Sequence, residues 1–324
     1  MRIYWTPLHT KVHKTLRQRS LLPPGEKVLV AVSGGQDSLC LGKLLLDLRS
    51  KWNWQLAIAH CDHRWSTDAG IAERVGEVAQ SWQLPFYLKV ADVVRETEAS
   101  ARNWRYQALI EIARQKQFKY IVTGHTKSDR AETLLYNLIR GSGADGLSAL
   151  SWQRALTPEV TLVRPILEVY RQETLEFCSQ FDLPIWFDVV NQNNKYARNR
   201  IRGELIPYLQ HFNPQVEGSL AQTAELLRAD VEYLENTARD LLQQARVNDN
   251  RLNRSCLNNA PLAIQRRAIR QFLPSIMSRQ PNFDQIEAVV NLIAAPNKSR
   301  TSTLPGGAIA EVAGEWIIFI DENA

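Results

Sequence analysis

Short apolar runs alternate with amphipathic stretches over the first half of the chain, and this alternation is the strongest constraint on its fold. The runs are KVLVAVS at 27–33, QLAIAH at 55–60, PFYLKV at 85–90 and YIVTGH at 120–125. Helical periodicity covers about 37–49, 68–82, 100–116 and 129–140. Nearly continuous apolar strands joined by helices need a parallel sheet that is covered on both faces. The pattern therefore predicts a doubly wound, mainly parallel α/β domain.

A different pattern follows after about residue 207. It begins with a long helix whose apolar residues stand near heptad spacing, namely Leu220, Leu227, Val231, Leu234, Ala238 and Leu241. Two helical stretches, near 261–273 and 283–294, precede three strand-like pieces, RTSTL, AIAEV and EWIIFI. We expect an α/β domain at 1–210 and a mainly helical domain at 211–324, with the apolar stripe in a helix-bundle core.

The composition narrows the class of protein. Four cysteines occur without a C-x-x-C pair, which argues against a zinc site, a redox dithiol and a disulfide framework. No apolar run approaches the roughly 20 residues that span a bilayer. We expect a cytoplasmic protein that does not enter the membrane. The net charge of +5 is compatible with an anionic partner, but it is weak evidence for nucleic acid.

The loop that follows the first strand run is the clearest functional motif. Ser33-Gly34-Gly35-Gln36-Asp37-Ser38 leads from a strand into a helix, where backbone N–H groups are free to bind a phosphate. A Walker A loop ending at Lys43 would need Gly at Asp37 and Ser or Thr at Leu44, so that motif is excluded. The G-x-G-x-x-G at 141–146 follows a helix and not a strand, and we interpret it as a helix-exit loop.

AVSGGQDS resembles the SGG-x-DS loop of the N-type ATP pyrophosphatases, the PP-loop superfamily, which cleave ATP between the α and β phosphates. The resemblance implies that Ser33 to Ser38 bind ATP. It also makes Asp37 the natural carboxylate for Mg²⁺, since this cation prefers oxygen ligands.

Five further stretches resemble one branch of that superfamily, the tRNA(Ile)-lysidine synthase family in its short form. They are AHCDHRW at 59–65, EASARNWRY at 98–106, GHTKSDRAET at 124–133, RGSGADGL at 140–147 and NKYARNRIR at 194–202. The resemblance implies a ligase that attaches L-lysine to the wobble cytidine of a tRNA(Ile) with a CAU anticodon. Three positions depart from the family pattern, namely Ser128, Arg130 and Val190.

The chemistry of such a reaction suggests roles for particular residues. Replacing the C2 oxygen of cytosine by an amine requires a leaving group, which adenylation supplies, and Arg102 or Arg105 would stabilise the pyrophosphate. The lysine ε-amine must then lose its proton, for which His125 and Glu132 are our candidates. Asp129 is equally well explained by the preference for acids in the first turn of a helix and by substrate binding.

The remaining candidates are binding residues. Asp62, His63 and Gly124 stand near strand ends and are expected to shape the nucleotide site. The substrate-binding candidates for lysine and tRNA are Arg102, Asp129, Lys195, Arg198, Asn199, Arg200 and Arg202. The C-terminal domain is expected to bind tRNA or to form a homodimer.

Two other functions stay open at this point. A PP-loop enzyme that thiolates tRNA is disfavoured by the missing cysteine pair. A module that binds ATP without catalysis is disfavoured by the closeness of His125 and Glu132 in the sequence.

Overall fold

The computed structural model describes residues 4–65, 69–92, 97–186 and 197–321. The chain divides into two compact units, Met1–Leu226 and Leu227–Ala324. This division lies further along the chain than residue 210, the boundary expected from the sequence.

The first unit is built on a six-stranded sheet with the strand order β3-β2-β1-β4-β6-β5. The strands are β1 (Lys27–Ala31), β2 (Gln55–Asp62), β3 (Phe86–Val90), β4 (Tyr120–Val122), β5 (Gln153–Ala155) and β6 (Thr161–Val163). All pairings are parallel except that of β5 with β6. The predicted mainly parallel sheet and its first four strands are confirmed.

The sequence patterns did not predict β5 and β6. Each has three residues, and all three residues of β5 are exposed, so neither shows the apolar run that marks the central strands.

Helices cover both faces of this sheet. The helices of this unit are α1 (Pro7–Gln18), α2 (Gln36–Trp52), α3 (Ile71–Ser81), α4 (Glu98–Lys116), α5 (Lys127–Ile139), α6 (Ala144–Leu147), α7 (Arg171–Gln180), α8 (Ala197–Arg200) and α9 (Ile206–Gln210). A π-helical turn at Ile201–Leu205 joins the last two, and α10 (Val216–Ala245) follows. The four helices predicted between the strands are present, whereas α1 was not predicted because the strand alternation starts after it.

The central strand β1 shows why its sequence is apolar throughout. Val28 and Val30 point into one core, which α1, α2 and α7 cover, while Leu29 points into a second core under α4. All three side chains are fully buried. Because alternate side chains of a strand point to opposite faces, a strand buried on both faces has no polar position.

The second unit combines helices with a small antiparallel sheet. Its helices after α10 are α11 (Arg254–Asn258), α12 (Leu262–Phe272) and α13 (Phe283–Asn291), and its strands are β7 (Arg246–Asn248), β8 (Arg251–Asn253), β9 (Ala308–Ala313) and β10 (Trp316–Asp321). The strand order is β7-β8-β10-β9. The helical character is confirmed, and two of the three strand-like pieces are strands. The third piece, RTSTL, contributes only an isolated bridge from Arg300 to Glu311.

We predict that Leu29→Ala lowers the free energy of unfolding of the first unit by about 2–5 kcal/mol, because it leaves a cavity in a packed core. The measurement is urea unfolding followed by tryptophan fluorescence. Leu138→Ala is the matched control, since this side chain is 53% exposed and its truncation should change the free energy by less than about 0.5 kcal/mol. Equal effects of the two substitutions would contradict the description of the core.

Candidate functional site

The loops after β1 and β4 face a common cavity of about 440 Å³. These strands are neighbours in the sheet, and the chain leaves β1 towards β2 on one side while β4 lies on the other. Such a reversal of strand order opens a crevice at the carboxyl ends of the strands, where α/β proteins bind ligands.

The loop between β1 and α2 presents backbone groups to this cavity. Gly34 has a φ of +88°, and a Cβ at this position would come within 2.9 Å of Ile71 Cγ2, so only glycine fits. Ser33 N donates to Ser38 Oγ at 3.1 Å, and Ser38 Oγ donates to the Gly35 carbonyl at 2.8 Å. These bonds hold the loop around the first turn of α2, whose free N–H groups attract anions.

Gly124 holds the end of β4 close to this loop. A Cβ at Gly124 would lie 2.8 Å from the carbonyl carbon and oxygen of Asp37 and 2.9 Å from the Ser38 nitrogen. The obstacle is backbone, which yields less easily than a flexible side chain. The absence of a side chain at Gly124 therefore allows the two loops to meet.

Asp37 lies at the start of α2, and two residues of α7 hold its side chain in place. Its Oδ1 accepts a hydrogen bond from Thr174 Oγ1 at 2.5 Å, and its Oδ2 is 3.5 Å from Arg171 Nη1. Burial raises the pKa of Asp37 above its ordinary value, and the charge of Asp129 raises it further against the opposing effect of Arg171. Two carboxylates that disfavour each other's charge make this wall attractive to a cation.

Asp129 combines the two roles that the sequence left open. Its Oδ2 accepts a hydrogen bond from Thr126 N at 2.8 Å, which closes a capping box at the start of α5. The residue also lines the cavity. Burial opposes its charge, yet the positive charges of protonated His125, Arg171 and Arg202 and the Thr126 hydrogen bond bring the pKa of Asp129 below its ordinary value. Asp129 therefore carries its charge readily at neutral pH.

Glu132 forms a bidentate ion pair one turn further along α5. Arg202 Nε and Nη2 donate to its two carboxylate oxygens at 2.6 and 2.8 Å. Only 5% of the Glu132 side chain is exposed. Burial raises the pKa of Glu132 despite the opposing effect of Arg202. The buried carboxylate thus depends on one arginine for its charge.

His125 follows β4 directly and lies half-buried at the cavity, where its Nδ1 is 2.9 Å from Thr123 Oγ1. Burial, together with the positive charge of Arg164, lowers the pKa of His125 to about 3. The imidazole is therefore neutral at pH 7.

Helix α4 contributes cations and an aromatic ring to the cavity. Arg102, Arg105 and Tyr106 of α4 line the cavity. The imidazole of His63 packs against two tryptophans, with ring centroids 5.2 Å from Trp65 and 5.0 Å from Trp104. The cavity thus combines acidic, basic and aromatic side chains.

Most of the predicted site residues meet at this cavity. Those that line it are Ser33, Gly35, Gln36, Asp37, Ser38, His63, Arg102, Arg105, Gly124, His125, Asp129, Glu132, Arg198, Asn199 and Arg202. Gly34, Asp62 and Arg200 are not among its lining residues. Asp62 instead accepts a hydrogen bond from Arg64 N at 2.7 Å. Lys195 lies outside the described residues, as does Val190.

Sequence reasoning missed the residues that fix the loop from a distance. Arg171 and Thr174 hold Asp37, and Thr174 and the Arg171 carbonyl also accept hydrogen bonds from the Gln36 amide. They lie on α7, more than 130 positions away from the loop, where no local motif points to them. The pairing of Arg202 with Glu132 was also missed, because the Arg-rich segment was interpreted only as a surface for RNA.

Two departures from the family pattern have partners on α10. Ser128 donates a short hydrogen bond to Glu217, and Arg130 Nη1 forms an ion pair with Glu225 at 2.9 Å. Ser128 and Arg130 are the neighbours of Asp129 in the first turn of α5. These contacts fasten the first turn of α5 to α10.

Among the described residues, no group of three or more His, Cys, Asp or Glu side chains is arranged to hold a metal ion. In the same part of the chain, no helix has the length and apolar content needed to cross a bilayer.

Comparison with known proteins assigns the chain to a class of enzymes. The family model for the PP-loop domain matches residues 6–209, which span the sheet, the loop and the cavity. The fold and the site thus define a PP-loop enzyme, a class that uses ATP.

Relatives that match over nearly the whole of both chains narrow the assignment to one family. The tRNA(Ile)-lysidine synthase of Nostoc sp. is 57% identical, with 97% of each chain covered. That of Synechocystis sp. is 54% identical over 98% of each chain, and the chloroplastic one of Zygnema circumcarinatum is 37% identical over 97% of this chain and 90% of its own. The chain belongs to the tRNA(Ile)-lysidine synthase family.

A solved structure supports the fold. The U34-tRNA thiolase NcsA from Methanococcus maripaludis, which carries a [4Fe-4S] cluster, matches with a TM-score of 0.58 and covers 68% of this chain and 77% of its own. At 18% sequence identity, the likeness concerns the fold alone.

We predict that Gly124→Ala weakens ATP binding at least about tenfold, because the added methyl group pushes the Asp37–Ser38 backbone out of place. The measurement is isothermal titration calorimetry with Mg²⁺ and ATP. Gly143→Ala serves as the control, since nothing lies within 4 Å of a Cβ at that position. An unchanged affinity in Gly124→Ala would show that contact between the two loops does not shape the nucleotide site.

Proposed function

We propose that the chain joins L-lysine to C2 of the wobble cytidine in the CAU anticodon of tRNA(Ile). ATP first adenylates the cytidine and releases pyrophosphate, after which the ε-amine of lysine displaces AMP. The observation that supports this most directly is the single cavity that unites a PP-loop with two buried acids, Asp129 and Glu132. Membership of the lysidine synthase family supports the same substrates.

The first step depends on the loop and on α4. The N–H groups around Gly35 and the hydroxyls of Ser33 and Ser38 bind the phosphates of ATP, and Arg105 stabilises the charge that develops on pyrophosphate. Such groups are effective because they are fixed in place before the reaction begins. The rings of Trp65 and His63 provide a surface against which a base stacks.

The residues present fit a magnesium ion. Mg²⁺ is usually held by one or two carboxylates together with phosphate oxygens, and Asp37 and Asp129 line the same cavity. The charge of Asp129 raises the pKa of Asp37, and a cation between them would relieve this repulsion. Asp37 would hold the ion. When bound, Mg²⁺ neutralises charge on the phosphates.

The second step needs a neutral amine. Asp129, with a lowered pKa, suits the binding of the lysine ammonium group, while Glu132, with a raised pKa, suits the acceptance of its proton. His125 is a weak base at a pKa of about 3, so we assign it a role as a neutral hydrogen-bonding group that orients the substrates.

The tRNA segment is expected to enter past α8. Arg198 and Asn199 line the cavity, and Arg200 is exposed on the same helix. We propose that these side chains, with Lys195, contact the phosphates next to the wobble base. We also propose that the enzyme works in the cytoplasm and that the C-terminal domain expected from the sequence, 211–324, binds tRNA or forms a homodimer.

The cysteines do not favour a sulfur-transfer reaction. Thiolation requires a reactive thiolate or cluster ligands. Cys61 lines the cavity, but burial raises its pKa to about 12, and burial also raises the pKa of Cys40 far above the ordinary value.

The proposed reaction is tested by incubating the protein with ATP, Mg²⁺, lysine and a tRNA(Ile) transcript with the CAU anticodon. We expect release of AMP that requires both lysine and this tRNA, and a nucleoside product whose mass has increased by the addition of lysine. A transcript with a different wobble base is the control. AMP release without lysine or without the tRNA would overturn the proposal.

We predict that Arg202→Gln moves the acid limb of the pH–rate profile to higher pH. Without Arg202, burial and the charge of Asp129 raise the pKa of Glu132 further, so the base is protonated over a wider pH range. The rate at pH 7 should fall at least about tenfold, since breaking a buried pair costs several kcal/mol. Arg114→Gln, which removes an exposed arginine from the last turn of α4 and outside the cavity lining, should leave the limb in place. An unmoved limb in Arg202→Gln would argue against Glu132 as the base.

A further inference from the structure

A second cavity, of about 560 Å³, lies where α1 meets the end of α2. His13, Arg17, Lys51 and Trp52 are among its lining residues. Trp5 adjoins them, since Lys51 Nζ lies 5.2 Å from its ring centroid. We name Trp5, His13, Arg17, Lys51 and Trp52 the α1–α2 basic face.

The cations of this face lack carboxylate partners. Residues 1–25 contain five Lys or Arg and no Asp or Glu. Two of these cations, Lys11 and Arg19, form ion pairs with Glu173 and with Glu168 and Glu225. Within the described ranges, Arg17 and Lys51 form no ion pair. Both are exposed, so their charges face solvent.

The polar and aromatic groups of the face are held in fixed orientations. His13 Nδ1 accepts a hydrogen bond from Trp52 Nε1 at 3.1 Å, which leaves its other ring nitrogen as a donor. Burial lowers the pKa of His13, and the charges of Lys51 and Arg17 lower it further, which places both cations near the imidazole. The ring of Trp52 stacks on that of Trp54 with centroids 5.1 Å apart. Trp5 is 42% exposed.

Cations without carboxylate partners and a fixed ring N–H donor are the groups that bind a nucleic-acid backbone. The face cannot belong to the nucleotide site. The loop at 33–38 lies at the start of α2 and Lys51 at its other end, a separation of roughly 25 Å for a helix of this length. A mononucleotide cannot span that distance, whereas a folded tRNA can.

We propose that the α1–α2 basic face binds the phosphate backbone of the tRNA substrate at a point remote from the reacting cytidine. This inference rests on the proposed function, because it takes the tRNA of that reaction as its ligand. The face raises affinity for the whole tRNA and takes no part in the chemical steps.

The test is filter binding of a tRNA(Ile) transcript, without ATP, over a series of NaCl concentrations. For Arg17→Gln/Lys51→Gln we expect a Kd about tenfold higher, and a slope of log Kd against log salt that is smaller by roughly 1 to 2, as lost phosphate contacts require. The rate of lysine addition at saturating tRNA should not change. Lys116→Gln/Lys119→Gln is the matched control, because it removes two exposed cations near the end of α4, the helix over the other core.

The outcomes separate this inference from the proposed function. If both double variants weaken binding equally, the effect is one of net charge and the inference is wrong. If Arg17→Gln/Lys51→Gln binds tRNA like the parent protein, the face does not contact tRNA and the inference is again wrong, while the proposed function stands. Failure of the parent protein to bind the tRNA at all would overturn both.

Discussion

The close approach of Gly124 to the backbone of Asp37 and Ser38 is the contact on which the site depends. It sets the distance between the loop that follows β1 and the segment that leads from β4 into α5. Because of it, the start of α2 and the carboxylates of α5 face one cavity. A parallel sheet brings strand ends to the same edge, but only a residue without a side chain lets their loops come this close.

Within the cavity, the pKa of each acid depends more on the groups around it than on whether it is an aspartate or a glutamate. Asp129 and Glu132 are one turn apart on the same helix, yet one carboxyl has a lowered pKa and the other a raised one. The difference arises from what surrounds each of them. Asp129 receives a backbone hydrogen bond and lies near His125 and two arginines, whereas the less exposed Glu132 side chain depends on Arg202. Two similar acids can thereby take different parts in a reaction with a single amine.

Local sequence patterns were sufficient to predict the central sheet and many of the residues that line the cavity. The loop at 33–38 and the GHTKSDRAET stretch follow strand runs, so sheet geometry alone brings them together. Local patterns were not sufficient to predict contacts between segments that are distant in the sequence. Nothing around Thr174 indicates that it bonds Asp37, and the Arg-rich stretch gives no sign that Arg202 turns inward to Glu132. The sequence patterns did not predict helix α1, because it precedes the alternation of strands and helices. They did not predict strands β5 and β6, because these are too short to show a period.

The bonds between α5 and α10 have a consequence for sequence variation among relatives. Ser128, one of the departures from the family pattern, donates a hydrogen bond to Glu217. An aspartate at 128 would place a second negative charge against that glutamate in a half-buried position, which is unfavourable. Positions 128 and 217 should therefore change together. Members with an acid at 128 should carry a neutral or basic residue at 217.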